Sequence, residues 1–192
     1  LIVLVPLRTW RTPRPAESTA EAIQVREHRT GANQRARLGL SDGSIVELGA
    51  NSRIRVPQRF SAAVREIELE GLAFFEISHE PNRPFVIHAG NATTRVLGTK
   101  FAVEAYLPDH EVRVAVTEGR VTLAPKISNG AAPALITPGQ FGLVSKDGIA
   151  RVVRDSREFD RLIGWKDGRR EYTDVPLAEV LSDLERWYGQ TI

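Results

Sequence analysis

The 192-residue chain contains neither cysteine nor methionine. Without cysteine there can be no disulfide bond, no thiolate metal site and no cysteine nucleophile, while the cellular compartment stays open. Methionine is absent even at position 1, so we expect the chain to be a piece of a longer protein.

The sequence also lacks an excess of charge of either sign. It has 26 Lys+Arg against 24 Asp+Glu, a formal net charge of +2. This charge is too small for a phosphate-binding surface, so we expect no nucleic-acid partner. Hydrophobic residues at 42% and charged residues at 26% are typical of a globular protein. A chain of this length buries roughly 70% of its unfolded surface and needs no metal in order to fold.

No apolar run is long enough to cross a bilayer within the printed sequence. The run Leu1–Leu7 would cover about 10 Å of a hydrocarbon core that is about 30 Å thick. It is either the end of a transmembrane helix, with Trp10 at the interface, or a short apolar strand. Arg8, Arg11 and Arg14 follow at once. The positive-inside rule compares both flanks of a helix, and only one flank is visible.

Apolar and polar residues alternate with a period of two from residue 23 to residue 153. Turn dipeptides that tolerate positive φ interrupt the alternation at Asp42-Gly43, Glu118-Gly119 and Asp147-Gly148. Short strands at such spacing predict a mainly β fold, as a twisted sandwich or a solenoid-like domain. The predicted strands lie at 23–26, 36–40, 45–48, 53–56, 66–70, 72–77, 85–89, 95–106 (broken at Gly98), 111–116, 120–123, 135–136, 140–144 and 149–153.

The hydrophobic period changes to that of a helix after Val153. Ser156 is the predicted cap of a short helix that ends near Gly164, and a second helix follows Pro176 and ends at Gly189. Residues 171–172 are a candidate strand. The apolar residues of the second helix recur at one-turn spacing and predict one apolar face: Leu177, Val180, Leu181, Leu184 and Trp187/Tyr188. We expect Leu177, Val180, Leu181 and Leu184 to form its buried part. We expect the residues from about 165 onward to pack as a separate unit, the cut-short opening of a small α/β domain.

Clusters of catalytic or metal-binding residues are not evident in the sequence. The four histidines fall in different predicted strands and turns, and none of their spacings is typical of a metal site. There is no glycine-rich phosphate loop and no nucleophile elbow. The arginines between 151 and 161 alternate with acidic residues, which indicates a self-compensated surface. We therefore expect no cofactor and no enzyme that turns over a separate substrate.

Seven segments in this order resemble the periplasmic part of FecR-like anti-sigma regulators. They are LSDGSIVEL (Leu40–Leu48), LEGLAFFEI (Leu69–Ile77), PFVIHA (Pro84–Ala89), VLGTKFAV (Val96–Val103), VAVTEGRVTL (Val114–Leu123), TPGQ (Thr137–Gln140) and PLAEVLSDLERW (Pro176–Trp187). The chain departs from the family pattern at Leu72, where an acidic residue usually follows the glycine. We expect this departure to affect a surface or edge position.

The resemblance implies a domain order. Residues 1–10 would end a transmembrane helix, 11–22 would be a linker, 23–153 a FecR-like all-β periplasmic domain, and 154–192 a connector with a truncated STN-like α/β domain. The protein would lie on the periplasmic side of the bacterial inner membrane as a single-pass membrane protein. It would carry a signal from an outer-membrane TonB-dependent transducer, typically in iron uptake, to an ECF sigma factor bound by a missing cytoplasmic segment.

The resemblance also implies functional residues. Partner contacts are expected mainly in the C-terminal unit and in strands beyond residue 192. The candidate contact residues are Trp165, Tyr172, Leu177, Val180, Leu181, Leu184 and Trp187. A subset of the family cleaves itself at a Gly-Thr bond within this motif, which makes Gly98 and Thr99 a candidate cleavage site. The Thr99 hydroxyl would attack the Gly98 carbonyl, and hydrolysis of the resulting ester would split the chain. The alternative is a β-bulge glycine followed by an ordinary strand residue.

A glycan- or cell-wall-binding β-sandwich is the competing function, because sandwiches carry many kinds of ligand site. Such a protein usually offers exposed aromatic platforms. Most phenylalanines of this chain lie within apolar strands, where we expect them in the core: Phe74, Phe75, Phe85, Phe101 and Phe141.

Overall fold

The structure is a computed structural model that describes residues 24–107, 111–127, 132–170, 172 and 175–189. The predicted membrane-helix end at 1–10 and the linker at 11–22 lie outside the described residues. Of the candidate strand at 171–172 only Tyr172 is described, and it is not in a strand. No helix within these described ranges is long and apolar enough to span a bilayer.

Thirteen strands of the described ranges form one hydrogen-bonded network, which confirms the mainly β fold. The strands are β1 Val25–Arg29, β2 Ala36–Gly39, β3 Ile45–Leu48, β4 Arg53–Pro57, β5 Arg65–Glu76, β6 Phe85–Ala89, β7 Ala92–Val96, β8 Lys100–Ala105, β9 Val112–Glu118, β10 Val121–Pro125, β11 Ala134–Ile136, β12 Gln140–Val144 and β13 Ala150–Val153.

The strands form two sheets that share β5. In the first sheet, β1, β4, β6, β7, β10 and β11 join the N-terminal half of β5. In the second sheet, β2, β3, β8, β9, β12 and β13 join its C-terminal half. The strand passes from one sheet to the other at Gly71, whose φ is +97°. A Cβ atom there would lie 2.4 Å from the Ser52 hydroxyl, so a glycine is needed. The sequence predicted a break at this point, whereas the strand continues through it.

The main core lies between the two sheets and contains every second residue of the central strands. Phe75 and Phe101 stack in it with ring centroids 5.2 Å apart. Phe85 is also fully buried, and Phe74 and Phe141 are buried on the other face of the second sheet. The expected core use of the phenylalanines is therefore confirmed. Full burial of one such side chain contributes about 1.5–3 kcal/mol.

Two helices follow the last strand: α1 Ser156–Gly164 and α2 Leu177–Tyr188, with a single 3-10 turn at Trp165–Asp167 between them. The α1 cap is Asp155, whose carboxylate accepts hydrogen bonds from the backbone of Arg157 and Glu158. The prediction of Ser156 as the cap is therefore wrong by one residue. Gly189, with φ +67°, ends α2 as predicted.

The helices lie against the outer face of the second sheet. Leu162 of α1 packs with Ala115, Phe141 and Leu143. Trp165 and Trp187 pack in a further cluster with residues of β5 and β8. The expected separate packing from residue 165 onward is thus wrong, because these helices use the sheet as their core. That residues 154–192 open an STN-like domain stays a prediction.

Candidate functional site

Two tryptophans fix the helical layer to the sheet. The ring centroids of Trp165 and Trp187 are 6.0 Å apart, and both side chains are buried. They share one apolar cluster with Ala50, Leu72, Phe74, Ala102 and Tyr106. Leu72 is only 2% exposed, so its departure from the family pattern lies in this cluster and not at a surface or edge position. The two tryptophans, which were candidate contact residues, are anchors within the chain.

A buried ion pair joins α1 to β8. The guanidinium of Arg161 makes two hydrogen bonds with the carboxylate of Glu104, at 2.8 and 3.2 Å. The side chains are 12% and 4% exposed. Burial lowers the pKa of Arg161, but the charges and hydrogen bonds of Glu104 and Glu158 raise it, and the net direction is upward. The predicted surface role of this arginine is wrong, since its charge is used inside the interface.

A second polar cluster holds α2. Arg170 lies 3.8 Å above the ring of Trp187 and binds the carboxylate of Asp183. The hydroxyl of Tyr172 donates to the same carboxylate. Burial, together with this hydrogen bond, raises the pKa of Tyr172. Tyr172 therefore orients α2, although the sequence placed it among the contact residues.

The apolar residues of α2 divide between two faces. Asp183 and Trp187 point into the protein, with Val180 half-buried beside them. Leu177 is 70% exposed and Tyr188 is 55% exposed. The predicted buried face holds only in part, because Leu177 is exposed, Leu181 and Leu184 are half-buried, and the side of α2 that meets the sheet is centred on Trp187. A line of apolar residues that we call the α2 stripe runs beside this face: Leu177 and Tyr188 are exposed, and Leu181 and Leu184 between them are half-buried.

The Gly98-Thr99 bond lies in the short link from β7 of the first sheet to β8 of the second. Backbone hydrogen bonds join the neighbouring segment 77–80 to both ends of this link. The backbone N–H of Glu80 donates to the Leu97 carbonyl at 2.7 Å, and that of Ile77 donates to the Thr99 carbonyl at 3.0 Å. The Thr99 hydroxyl donates to the Arg120 carbonyl at 3.0 Å. That carbonyl orients the hydroxyl but cannot act as a general base, so attack on Gly98 requires another proton acceptor.

Two glycines allow the chain to pass closely at this link. A Cβ atom at position 98 would lie 2.6 Å from the Cα of His79. A Cβ atom on Gly119, whose φ is +82°, would lie 2.9 Å from the Gly98 carbonyl oxygen. The irregularity in strand register falls between Lys100 and Phe101, so the bulge lies beyond Gly98 itself.

A buried ion pair that the sequence analysis missed supports segment 77–80. Arg65 and Asp42 lie 2.7 Å apart and are almost fully buried. Arg65 also donates to the Ser78 carbonyl, and the Ser44 hydroxyl accepts from the Ser78 backbone. Asp42 stands in a turn, where nothing signals its burial, whereas Arg65 lies in phase with the buried Ile67 and Leu69 of β5. Glu104 did leave a signal, since it is the one charged residue in the run Phe101–Tyr106.

Among the described residues, no three His, Asp or Glu side chains come together as metal ligands. The polar groups of the helical layer instead hold α2 in place with an apolar stripe facing outward. A β sandwich that carries such a stripe is suited to contact another protein. The fold and the site thus define a mainly β module with a partly exposed apolar helix face.

Comparison with known proteins gives the family. The FecR protein family matches residues 26–122, which is about half of the chain. The chain belongs to the FecR family, and the resemblance of its motifs to FecR-like anti-sigma regulators is confirmed.

Two crystal structures, at 2.50 and 1.65 Å resolution, of a Parabacteroides distasonis ATCC 8503 protein provisionally described as an anti-sigma factor are similar to this chain. Each has a TM-score of 0.77 and 27% identity, and the match covers 87% and 86% of this chain and 76% of the other. A search among curated proteins found no match.

Proposed function

We propose that this chain is the periplasmic part of a transmembrane anti-sigma regulator. It carries a signal from the signalling domain of an outer-membrane TonB-dependent transducer to a cytoplasmic ECF sigma factor. Membership of the FecR family and similarity to a protein described as an anti-sigma factor support the regulatory part of this proposal. In the same proposal, residues 1–10 end the membrane helix, and the sigma factor binds a segment that precedes residue 1.

The observation that carries the proposal is the α2 stripe. Soluble proteins seldom leave a line of large apolar side chains on one helix face unless another molecule covers it. The helix is held rigidly on its other side by Trp187 and by the Arg170–Asp183 pair. A partner would therefore meet a preformed surface, which lowers the entropic cost of binding. In this proposal the stripe contacts the transducer, while Trp165, Tyr172, Val180 and Trp187 position it.

The test is transcription from a promoter that depends on the sigma factor, in cells with the full-length regulator and the transducer. Leu177→Asp and Tyr188→Asp each place a charge on an exposed position of the stripe, so we expect induction by the transducer's ligand to be lost at normal protein levels. Leu135→Asp is the matched control, since Leu135 is 56% exposed on β11, outside the helical layer. Unchanged induction in both stripe variants would contradict the proposal.

Self-cleavage between Gly98 and Thr99 is the second candidate function. The hydrogen bonds from segment 77–80 to the residues on both sides of the bond favour this function, because they fix the orientation of the Gly98-Thr99 bond. After cleavage, the pairing of β5 with β8 would hold the two fragments together.

The competing glycan-binding function receives no comparable support. The five phenylalanines that could have formed a sugar platform are buried in the two faces of the second sheet and in the main core.

A further inference from the structure

The two ends of the described chain meet at one loop. Residues 30–35 connect β1, at an edge of the first sheet, with β2, at an edge of the second. The backbone N–H of Asn33 donates to the Trp187 carbonyl at 2.5 Å. Arg35 donates to the carbonyls of Trp165 and Lys166, at 3.2 and 3.1 Å. The loop thus binds a carbonyl near the end of α2 and two carbonyls of the 3-10 turn that follows α1.

The contact is tight at its far end. A Cβ atom on Gly189, the residue that ends α2, would lie 2.6 Å from the Cβ of Ala32. The loop and the helix terminus therefore cannot move past each other without a change in one of them. This is a direct mechanical contact between the C-terminal helix and the entry to β1.

The base of the loop is tied to the apolar cluster beneath the tryptophans. The buried Thr30 hydroxyl donates to the Gly49 carbonyl and accepts from the Ser52 backbone. The Ser52 hydroxyl in turn accepts from the backbone of Leu72, which packs in the same cluster as Trp165 and Trp187. The path from α2 to β1 is therefore continuous through packed and hydrogen-bonded groups.

We propose that loop 30–35 couples the docking of α2 to the ordering of β1, so that a partner bound on the α2 stripe alters the strand that leads toward the N-terminus. The biological meaning of this coupling rests on the proposed function. The coupling itself does not rest on the proposed function, because it concerns only how α2 and β1 of one chain stabilise each other. Such coupling is reciprocal by linkage. The coupling free energy is therefore the same whether α2 or β1 is disturbed.

Hydrogen exchange measured by mass spectrometry on the purified chain tests the coupling without any partner. Trp187→Ala removes the anchor, so exchange should rise about tenfold or more in α2, in loop 30–35 and in β1, since a lost indole is worth more than 1.4 kcal/mol. Exchange in β6, which lies away from the loop, should stay unchanged and serves as the check on folding. Trp187→Phe keeps an aromatic ring and should leave α2 and β1 protected.

Two milder variants test the loop itself. Arg35→Ala should raise exchange in α2 and β1 together, whereas Arg37→Ala, in a surface pair with Glu47, should change neither. Thr30→Val keeps the shape of the side chain but removes its hydroxyl, and it should raise exchange in α2 from the β1 side. Increased exchange in α2 with β1 unaffected in Trp187→Ala, or increased exchange in β1 with α2 unaffected in Thr30→Val, would overturn the coupling.

The outcome separates this inference from the proposed function. If the coupling is found but the stripe variants leave induction unchanged, the signalling role fails and the coupling stands. If the stripe variants abolish induction while α2 and β1 exchange independently, the coupling is wrong and the signalling role stands.

Discussion

Thr99 shows how much a single residue depends on its neighbours. Its side chain is almost fully buried, and its hydroxyl is already engaged with a backbone carbonyl. The nearby Lys100 is paired with Glu118, and this hydrogen bond raises the pKa of Lys100. A charged ammonium cannot accept a proton, so Lys100 is a poor base at neutral pH.

The cleavage proposal gives a residue-level prediction. If cleavage occurs, intact-mass measurement of purified protein should show two fragments, the second beginning at Thr99. Thr99→Ala removes the nucleophile and should abolish cleavage, while Thr99→Ser keeps a hydroxyl and should retain it. A single intact mass for both fresh and aged wild-type protein would sink the proposal.

At the scale of elements, the helical layer is held by a few strong contacts. The apolar cluster of the two tryptophans fixes α2, and the Glu104–Arg161 pair fixes α1 to β8. Loop 30–35 adds hydrogen bonds to the carbonyls of Trp187 in α2 and Trp165 in the 3-10 turn. Each contact involves an element distant in sequence, so the helical layer depends on the second sheet for its packing surface.

The Glu104–Arg161 pair gives an element-level prediction. Glu104→Gln removes the charge that compensates Arg161 in a buried place, so we expect unfolding to become easier by about 3 kcal/mol. Urea unfolding followed by tryptophan fluorescence measures this change.

The matched control is Glu118→Gln, since Glu118 pairs with Lys100 where both side chains are largely exposed. A surface pair of this kind contributes about 0–1 kcal/mol. Equal effects of the two substitutions would mean that the buried pair does not hold the layer.

At the scale of the whole molecule, α2 and β1 come from opposite ends of the described chain and meet at loop 30–35. The α2 stripe lies at one end of the chain, and β1 leads toward the proposed membrane segment at the other. The solved relatives share this architecture over most of the described chain.

A longer form of the protein supplies the whole-molecule prediction. We expect the signalling contacts to include strands beyond residue 192. These strands would bind the transducer by sheet-edge pairing. The present chain should therefore bind the transducer's signalling domain more weakly than a form extended at the C-terminus. Titration calorimetry on the two forms measures the difference, and equal affinities would count against the idea.

Local pattern was enough to determine the elements of this protein. Short apolar segments between turn residues predicted β6 and β12 with their observed bounds, although both strands are buried at nearly every residue and do not alternate. The change of period after Val153 predicted α1 and α2, and Gly189 marked the end of α2. Ordered motifs also indicated the FecR family, because turn glycines and strand residues are set by local geometry.

Only the tertiary structure decided which faces meet. The passage of β5 between two sheets at Gly71, the burial of Trp165 and Trp187, and the pairing of Glu104 with Arg161 all join residues far apart in sequence. The helical period of α2 predicted one apolar face but not how deeply each of its residues lies, so Leu177 was predicted to be buried and is exposed. Trp187 packs against the sheet, because its larger ring fills the apolar cluster. Arg170 lies over this ring and pairs with the Asp183 carboxylate beside it.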